Sequence, residues 1–471
     1  MIIPGVSVFL GACILLGLLM YPLRRWARLS WGVGVASSAL LIWTLSRWPL
    51  DRAFVLGGRT VLLNAPLEFA DYRWALSPAN RPVVLVVAWV MLMGFAGVWF
   101  HSPGRTFVPL GLVIAALWIS GVTTAAVSWV TAALALVACL SVFIVQAGRP
   151  ESTRPAVRQL WWPLVALPLL WLGGWYADEI ALNPENMAYM RQASVVAGLG
   201  LLLLLAPVPF HVPTVTLLEN APPVVGAFLL LGGQTVVLYL VWLQTSLAPW
   251  MGEQLDISLY LAAVAIPTLL WGAAGAVTAR RVRSLWAYSA LHDWGVLLLG
   301  LSLGAPFDWA TASSLLIGRM ISVALSAYGI ASLLAWARED DWQAVQGLMH
   351  RRLWTTLAVM VGGLGLAGFP LTASFGPRWI LVQTLLGTKT SWALWIVLGQ
   401  IGVTIGYLRL LYALLSPASP RRWMVPRERW STALLLSLGV AASGLLALAP
   451  QWMDGAIQTV IGIMLQGRPS F

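Results

Sequence analysis

Apolar runs of about 20 residues recur along nearly the whole chain, and no other feature of the sequence limits the fold as much. A helix of that length spans the hydrocarbon core of a lipid bilayer. Only 10% of the 471 residues are charged, against roughly a quarter in soluble domains. The longest segment between the runs, about residues 47–81, is too short for a soluble domain of the usual size. The sequence therefore predicts an all-α polytopic membrane protein without a soluble catalytic domain.

Hydropathy predicts fourteen membrane spans in this sequence. They cover residues 2–22, 29–46, 82–100, 105–122, 124–147, 159–177, 193–210, 222–245, 256–279, 284–304, 309–336, 354–377, 391–415 and 432–450. Because the number of spans is even, we expect both termini on the same side of the membrane. The last segment, after Pro450, is expected to lie along the outer surface as an interfacial helix.

The basic residues alternate between the connections of these spans. Most arginines follow odd-numbered spans: Arg24, Arg25, Arg28, Arg105, Arg149, Arg154, Arg158, Arg280, Arg281, Arg283, Arg338, Arg351, Arg352, Arg421, Arg422, Arg427 and Arg429. Since basic loops stay in the cytoplasm, we expect a multi-pass protein of a prokaryotic cytoplasmic membrane with both termini on the outer side. The net charge of +11 is then a signal of topology, and no nucleic-acid partner is expected.

The seventh and twelfth spans are interrupted by prolines. Pro209 and Pro370 lie 161 residues apart, and each follows about two turns of apolar helix. A proline frees a backbone carbonyl that hydrocarbon cannot satisfy, so such helices belong in the protein interior. The matching positions predict two inverted repeats with discontinuous helices 7 and 12, and two proline kinks in a large bundle are the alternative.

We expect these repeats to form a single membrane domain, residues 1–471. Its predicted parts are N-terminal helices with an external loop (1–100), the first repeat (105–245), the second repeat (256–415), and a C-terminal helix with a tail (432–471).

Three stretches of the chain resemble one protein family. They are PFH at 209–211 with ENAPP at 219–223, RSLWAYS at 283–289, and LAGFPLTASFGPR at 366–378. They are similar, in order and spacing, to elements of the antiporter-like membrane subunits of respiratory complex I. Mrp sodium/proton antiporters and group 4 hydrogenase subunits are related to these subunits. The N-type subunit of NADH-quinone oxidoreductase is the nearest relative by this resemblance.

The resemblance implies proton movement along ionisable side chains at mid-membrane, but those side chains are missing here. The family glutamate of span 5 falls on Ala135, and its two lysines in spans 7 and 8 fall on Leu204 and Gln234. The terminal lysine or glutamate of span 12 falls on Arg378. Alanine, leucine and glutamine do not titrate, and arginine keeps its proton above about pH 12. The resemblance thus implies a relay interrupted at four positions.

A short set of polar residues remains as candidates for a proton path or for buried charge. These are His211, Glu219, Gln234, His292, Asp293, Arg319 and Arg378, with Arg409 nearer the cytoplasmic end. Because a buried cation needs a carboxylate, we predict an Arg319–Asp293 ion pair, which either clamps two helices or belongs to a rerouted path.

Three of these candidates keep open interpretations. Arg378 either meets carbonyl ends or water near the broken helix, or extends to the membrane surface. His211 either has a loop-capping or proton-input role, as the resemblance implies, or is a satisfied loop histidine. His292 stands beside a carboxylate and is a possible proton site, although adjacent helical residues point about 100° apart.

Three functions compete on these observations. The missing relay residues favour a structural or coupling subunit of a membrane complex related to complex I. The others are an active proton-translocating subunit, and a stand-alone transporter or membrane partner of an inorganic-carbon-accumulating or hydrogenase complex. Cys13 and Cys139 both lie in apolar runs, and we expect no metal, no cofactor and no catalytic centre in this chain. The expected partners are other hydrophobic subunits and lipids, with quinone reached only through those subunits.

Overall fold

The computed structural model describes residues 2–56, 58–147, 153–182, 186–248, 251, 256–303, 307–337, 339–417 and 427–449. This part of the chain is mostly helical, which confirms the predicted all-α polytopic fold. Ten of its helices are long and apolar enough to cross a membrane, and three shorter apolar helices accompany them. The interfacial helix predicted after Pro450 lies outside the described residues.

The helices follow the apolar runs closely, because a helix satisfies its own backbone hydrogen bonds in hydrocarbon. They are α1 (Gly5–Met20), α2 (Ala27–Arg47), α3 (Arg81–Ala96), α4 (Phe107–Val122), α5 (Val127–Gln146), α6 (Arg154–Arg158), α7 (Trp161–Leu182), α8 (Met187–Leu205), α9 (Val212–Asn220), α10 (Pro223–Leu247), α11 (Ile257–Thr278), α12 (Val282–Leu301), α13 (Phe307–Leu334), α14 (Trp342–Val345), α15 (Leu353–Ala367), α16 (Phe375–Thr388), α17 (Thr390–Leu415) and α18 (Trp430–Leu448). Each predicted span overlaps at least one of them. Helices 7 and 12 are discontinuous, as predicted: α8 is followed after a break by α9, and α15 by α16.

The connection between α2 and α3 contains short strands that the sequence did not predict. They are β2 (Ala53–Leu56), β3 (Arg59–Leu62), β4 (Leu67–Phe69) and β5 (Tyr72–Trp74), with β1 (Ile2–Pro4) at the N-terminus. Strand β3 pairs antiparallel with β2 and parallel with β1, and β4 and β5 form a hairpin. Strands of three or four residues are too short to give a clear period-two hydrophobic pattern.

At two places, backbone hydrogen bonds join connections of the same parity, as expected if even-numbered and odd-numbered connections lie on opposite faces. On one face, Ala75 N donates to Thr123 O at 2.8 Å, joining the second and fourth connections. On the other, Val282 N donates to Asp340 O at 2.9 Å, joining the ninth and eleventh. We call this second face, which carries Arg280, Arg281 and Arg283, the basic face.

Helices α10 and α12 lie at the centre of the bundle, and nearly every α12 residue is buried. Their near-uniform burial explains why they lack a polar stripe. Helix α11 packs so closely on α12 that a Cβ at Gly272 would overlap the backbone of His292. The close packing fixes the middle of α12, residues 290–294, in the protein interior.

Candidate functional site

The first helix break separates α8 from α9. In an unbroken helix the carbonyl of Leu205 would accept from residue 209, but Pro209 has no N–H. The indole Nε1 of Trp294, on α12, donates to this carbonyl instead, at 2.7 Å. Inside the break, Val208 N donates to Thr268 Oγ1 at 2.9 Å. Side chains of other helices therefore satisfy the backbone that the break exposes.

The second break, between α15 and α16, repeats this arrangement with a different donor. Pro370 lies four residues after Leu366 and has no N–H to offer its carbonyl. Here Nη1 of Arg378 donates to Leu366 O at 2.9 Å. The two carbonyls that lack a helical N–H donor, those of Leu205 and Leu366, lie 161 residues apart, like the two prolines. An arginine in the second half thus takes the place that a tryptophan takes in the first.

Asp293 joins this second cap to a buried ion cluster. One carboxylate oxygen, Oδ2, accepts from Nη1 of Arg319, and the other, Oδ1, accepts from Nη2 of Arg378. The Arg319 side chain has no exposed surface, and that of Arg378 is 1% exposed. The predicted Arg319–Asp293 ion pair is present. The second pair corrects the alternative in which Arg378 extends to the membrane surface, because carbonyl and carboxylate hold its guanidinium inside.

Gln234 completes the coordination of Arg319. Its Oε1 accepts from Nε at 3.1 Å and from Nη2 at 2.9 Å, while Ala290 O accepts from Nη1 at 2.9 Å. The guanidinium lies 5.4 Å from the ring centroid of Trp294, within range of a cation–π interaction. The side chain that stands at a family lysine position therefore ties α10 to the cluster.

The charges of the cluster nearly cancel. Among the described residues it holds two arginines and one carboxylate, which leaves one positive charge. The C-terminus of a helix carries roughly half a negative charge. Two half-helices end here, at Leu205 and at Ala367, so their dipoles supply roughly one negative charge in all. The site is close to neutral without a bound ion.

The two candidate histidines, His211 and His292, are not partners of Asp293 among the described residues. Nδ1 of His292 lies 3.0 Å from Leu269 O, and its Nε2 has no hydrogen-bond partner among the described residues. His211 stands at the start of α9, half-buried, with its ring 6.0 Å from that of Trp271. Among the described residues, His292 therefore forms no hydrogen bond with the neighbouring Asp293.

The residues that the resemblance places at relay positions of the first half lie beside a mostly apolar cavity. Leu204 and Gln234 line this cavity, which has a volume of about 160 Å³, together with Leu134, Ala138 and Gly233. Ala135 is buried on α5, whose next residues reach the same cavity. Its walls are mostly aliphatic, and the other polar side chains that line it, Ser141, Gln159 and Thr214, do not titrate.

Two remaining candidates lie away from the cluster. Arg409 is exposed on α17, donates to Val277 O and stacks 4.5 Å from the ring of Trp342. Glu219 lies at the end of α9, on the wall of an open cavity of about 580 Å³ that we call the basic-face cavity. It is lined by Glu219, Trp271, Arg280, Arg283, Tyr288 and Asp340, among others.

One residue and one contact of this site were not predicted from the sequence. Trp294 was not among the candidate residues, although each proline orphans the carbonyl four residues earlier and so requires a donor. The second arginine partner of Asp293 was also missed. Among the described residues, no three His, Cys, Asp or Glu side chains come close enough to hold a metal ion.

Comparison with known sequences finds a match to one family over the centre of the chain. Residues 164–406 match the family described as "NADH:quinone oxidoreductase/Mrp antiporter, TM". NADH-quinone oxidoreductase subunit N 2 of Roseiflexus castenholzii is 30% identical over 280 residues, 57% of this chain and 55% of that protein. Subunit N of Chromohalobacter salexigens is 29% identical over 296 residues, 60% of this chain and 61% of that protein. The match thus spans somewhat more than half the length of these curated relatives.

Solved structures share the fold over almost the whole chain. A chain of respiratory complex I from Thermus thermophilus with bound NADH superposes with a TM-score of 0.78 at 15% identity, covering 98% of this chain and 99% of that one. A chain of the Mrp complex from Dietzia sp. DQ12-45-1b gives a TM-score of 0.77 at 16% identity, covering 98% and 96%.

Proposed function

Because this chain belongs to the NADH:quinone oxidoreductase/Mrp antiporter transmembrane family, we propose that it is a structural and coupling subunit of a membrane complex related to complex I. In this proposal the chain keeps the fold of an antiporter-like subunit, while its own proton channel is lost or rerouted. The relatives named as subunits of NADH-quinone oxidoreductase support this class of complex.

One observation carries the proposal: an arginine occupies the end of the second half-helix. Transporters with broken helices use such C-terminal ends to coordinate the ion they move. Here the guanidinium of Arg378 is bonded to Leu366 O and paired with Asp293. An arginine holds its proton at any physiological pH, and its side chain is covalently attached. The position is thus filled by a cation that can neither leave nor change its charge.

The first half supports the same conclusion. Leu204 and Ala135 supply no titratable group, and Gln234 is engaged with Arg319. A relay would have to cross this mostly aliphatic cavity, where Ser141, Gln159 and Thr214 are the other polar side chains of the wall and none of them titrates.

Exposed residues at the surface of the bundle, beside the second break, support a partner subunit. Irregular backbone at membrane depth is tolerated only where protein or water covers it. Yet Phe369 and Leu371 are 42% and 63% exposed, next to a groove that contains Gln400 and Thr404 of α17. Lipid chains cannot pair with these polar groups, so we assign this groove to a transmembrane helix of a neighbouring hydrophobic subunit.

Several features of the subunit follow as parts of the proposal. The basic face is cytoplasmic and both termini are outside, because most arginines follow odd-numbered spans in the sequence. The two repeats, 105–245 and 256–415, each contribute one broken helix to a common centre. The chain binds no cofactor itself, and quinone or an electron donor is reached through partner subunits.

Proton uptake by the purified complex tests the proposal. The complex is reconstituted into vesicles containing a pH-sensitive dye, with His292→Gln or Asp293→Asn in this chain. These residues are the titratable groups of the described central site. We expect uptake per assembled complex to equal that of the unchanged complex, because neither group carries protons.

The competing function makes the opposite prediction. A rerouted path through His292, Asp293, Arg319 and water would lose uptake on either substitution. A complex that assembles with His292→Gln but no longer takes up protons would therefore refute the structural role. The His292 variant matters here because it leaves both ion pairs of Asp293 in place.

A further inference from the structure

The basic-face cavity lies among helix ends. Its walls are the end of α9, the last two turns of α11 and the first residues of α12. Its volume of about 580 Å³ falls within the range of small-molecule sites. It is separate from the ion cluster and plays no part in the function proposed above.

The charges in this cavity are of both signs, and two of them are uncompensated. Arg283 pairs with Asp340, whose carboxylate Oδ2 lies 3.0 Å from Nε. The guanidinium of Arg280 and the carboxylate of Glu219 form no ion pair with any residue that the structure describes. Arg280 is exposed and Glu219 is half-buried. A cation and an anion without partners thus line the same cavity.

The membrane side of the cavity is open and carries an aromatic residue. Trp271, in the wall, is 53% exposed. Ala274 and Thr278 follow it on the exposed side of α11. Tryptophan favours the headgroup level of a bilayer, where its ring contacts acyl chains and its N–H meets polar groups. A ligand in the cavity could therefore extend an apolar part into the bilayer.

We propose that this cavity binds the headgroup of a zwitterionic aminophospholipid, such as phosphatidylethanolamine. The phosphate pairs with Arg280, near the hydroxyl of Ser284, and the primary ammonium pairs with Glu219. Trp271 packs against the glycerol and the upper acyl chain. The site offers the lipid one cation and one anion. A phosphate alone would pair with the cation and leave the carboxylate of Glu219 without a partner.

The lining argues against a purely anionic lipid. Besides its arginines, the cavity exposes Glu219 and contains the carboxylate of Asp340. A headgroup with net negative charge would bring its phosphate close to Glu219 without a cation to pair with that carboxylate. A quaternary ammonium, as in phosphatidylcholine, has no N–H to donate to that carboxylate. The primary ammonium is the group that matches.

Native mass spectrometry of the full chain in detergent tests the assignment. Phosphatidylethanolamine, phosphatidylcholine and phosphatidylglycerol with identical acyl chains are added in equal amounts, and retained lipid is counted. We expect phosphatidylethanolamine to be retained most. Glu219→Gln should reduce its preference over phosphatidylcholine by about two- to fivefold, as expected for an accessible charge pair. Arg280→Gln should lower the retention of both zwitterionic lipids by a similar factor.

A matched control is Arg105→Gln, which removes an exposed arginine from another connection of odd number. It should leave the lipid preference unchanged. Equal loss in the control would show nonspecific attraction to arginines, and equal retention of phosphatidylglycerol would show an anionic site. Either result overturns the proposal. So would binding of soluble glycerophosphoethanolamine as tight as that of the lipid, because the ligand would then not be a membrane lipid.

Discussion

The two helix breaks solve one backbone problem with different chemistry. Each proline leaves a carbonyl four residues earlier without its N–H, at Leu205 in the first half and at Leu366 in the second. The first carbonyl accepts from a neutral indole and the second from a guanidinium. A charged cap requires a counter-charge and a neutral cap does not. The difference explains why the ion pairs lie beside the second break while the first adjoins an apolar cavity.

One helix serves both breaks. Trp294 reaches the first carbonyl, while its neighbour Asp293 holds the arginine that reaches the second. Adjacent residues on a helix point about 100° apart, so two consecutive positions on α12 address two different partners. The comparison teaches that α12 contacts the broken helix of each half through two consecutive side chains.

The largest effect is expected from Asp293→Asn. This change leaves Arg319 and Arg378 buried without a carboxylate, and removing one partner of a buried ion pair costs about 3–5 kcal/mol. The free energy of unfolding, measured by SDS titration of the purified chain, should fall by about that amount. The control Asp341→Asn breaks the exposed pair with Arg281 and should cost no more than about 1 kcal/mol. Equal losses in both variants would mean that the central pairs do not hold the breaks together.

The two caps should differ in strength when each is removed. Arg378→Met deprives Leu366 O of its donor and Asp293 of one partner, and should cost about 2–4 kcal/mol. Trp294→Phe replaces the indole by a smaller phenyl ring and removes the donor to Leu205 O. The unsatisfied carbonyl should cost about 1–3 kcal/mol, to which the packing lost with the second ring adds.

Limited proteolysis shows which helix break each of these two substitutions destabilises. Arg378→Met should increase cleavage near the second break and Trp294→Phe near the first, because each carbonyl is released locally. If both variants open the same break, the caps are not independent and the comparison between the halves does not hold.

The fold could be predicted from the sequence because hydrocarbon allows few alternatives. Twenty apolar residues must form a helix there, and a proline within them must break it. The short strands around Val61 gave no usable pattern, since their residues are too few. The family assignment rested on the motifs at 209–223, 283–289 and 366–378, and the match over residues 164–406 confirms it.

The site was predicted in part. The Arg319–Asp293 pair followed from counting charges, since one buried carboxylate was available to one obvious cation. The pairing of Arg378 could not be decided in that way, because a residue near a helix break can turn inward or toward the surface. Its direction depends on how α16 lies against α12, which is a property of packing. Trp294 could not be singled out among the 28 tryptophans, because the partner of its indole N–H also depends on how the helices pack.

The smallest effect is expected at Gly233 in the first half. The change in the free energy of unfolding should have the opposite sign at its neighbour, Gly232. Gly233 lines the apolar cavity, and a Cβ there would meet nothing within 4 Å. Gly233→Ala should raise the free energy of unfolding by about 0.5–1 kcal/mol, because alanine loses less backbone entropy in a helix. A Cβ at Gly232 would overlap the ring of Trp118, so Gly232→Ala should lower it by about 1–3 kcal/mol. If Gly233→Ala were as damaging as Gly232→Ala, the cavity would be closed in the folded protein. The neutral cap at Leu205 would then not border the empty apolar space that distinguishes the first break from the second.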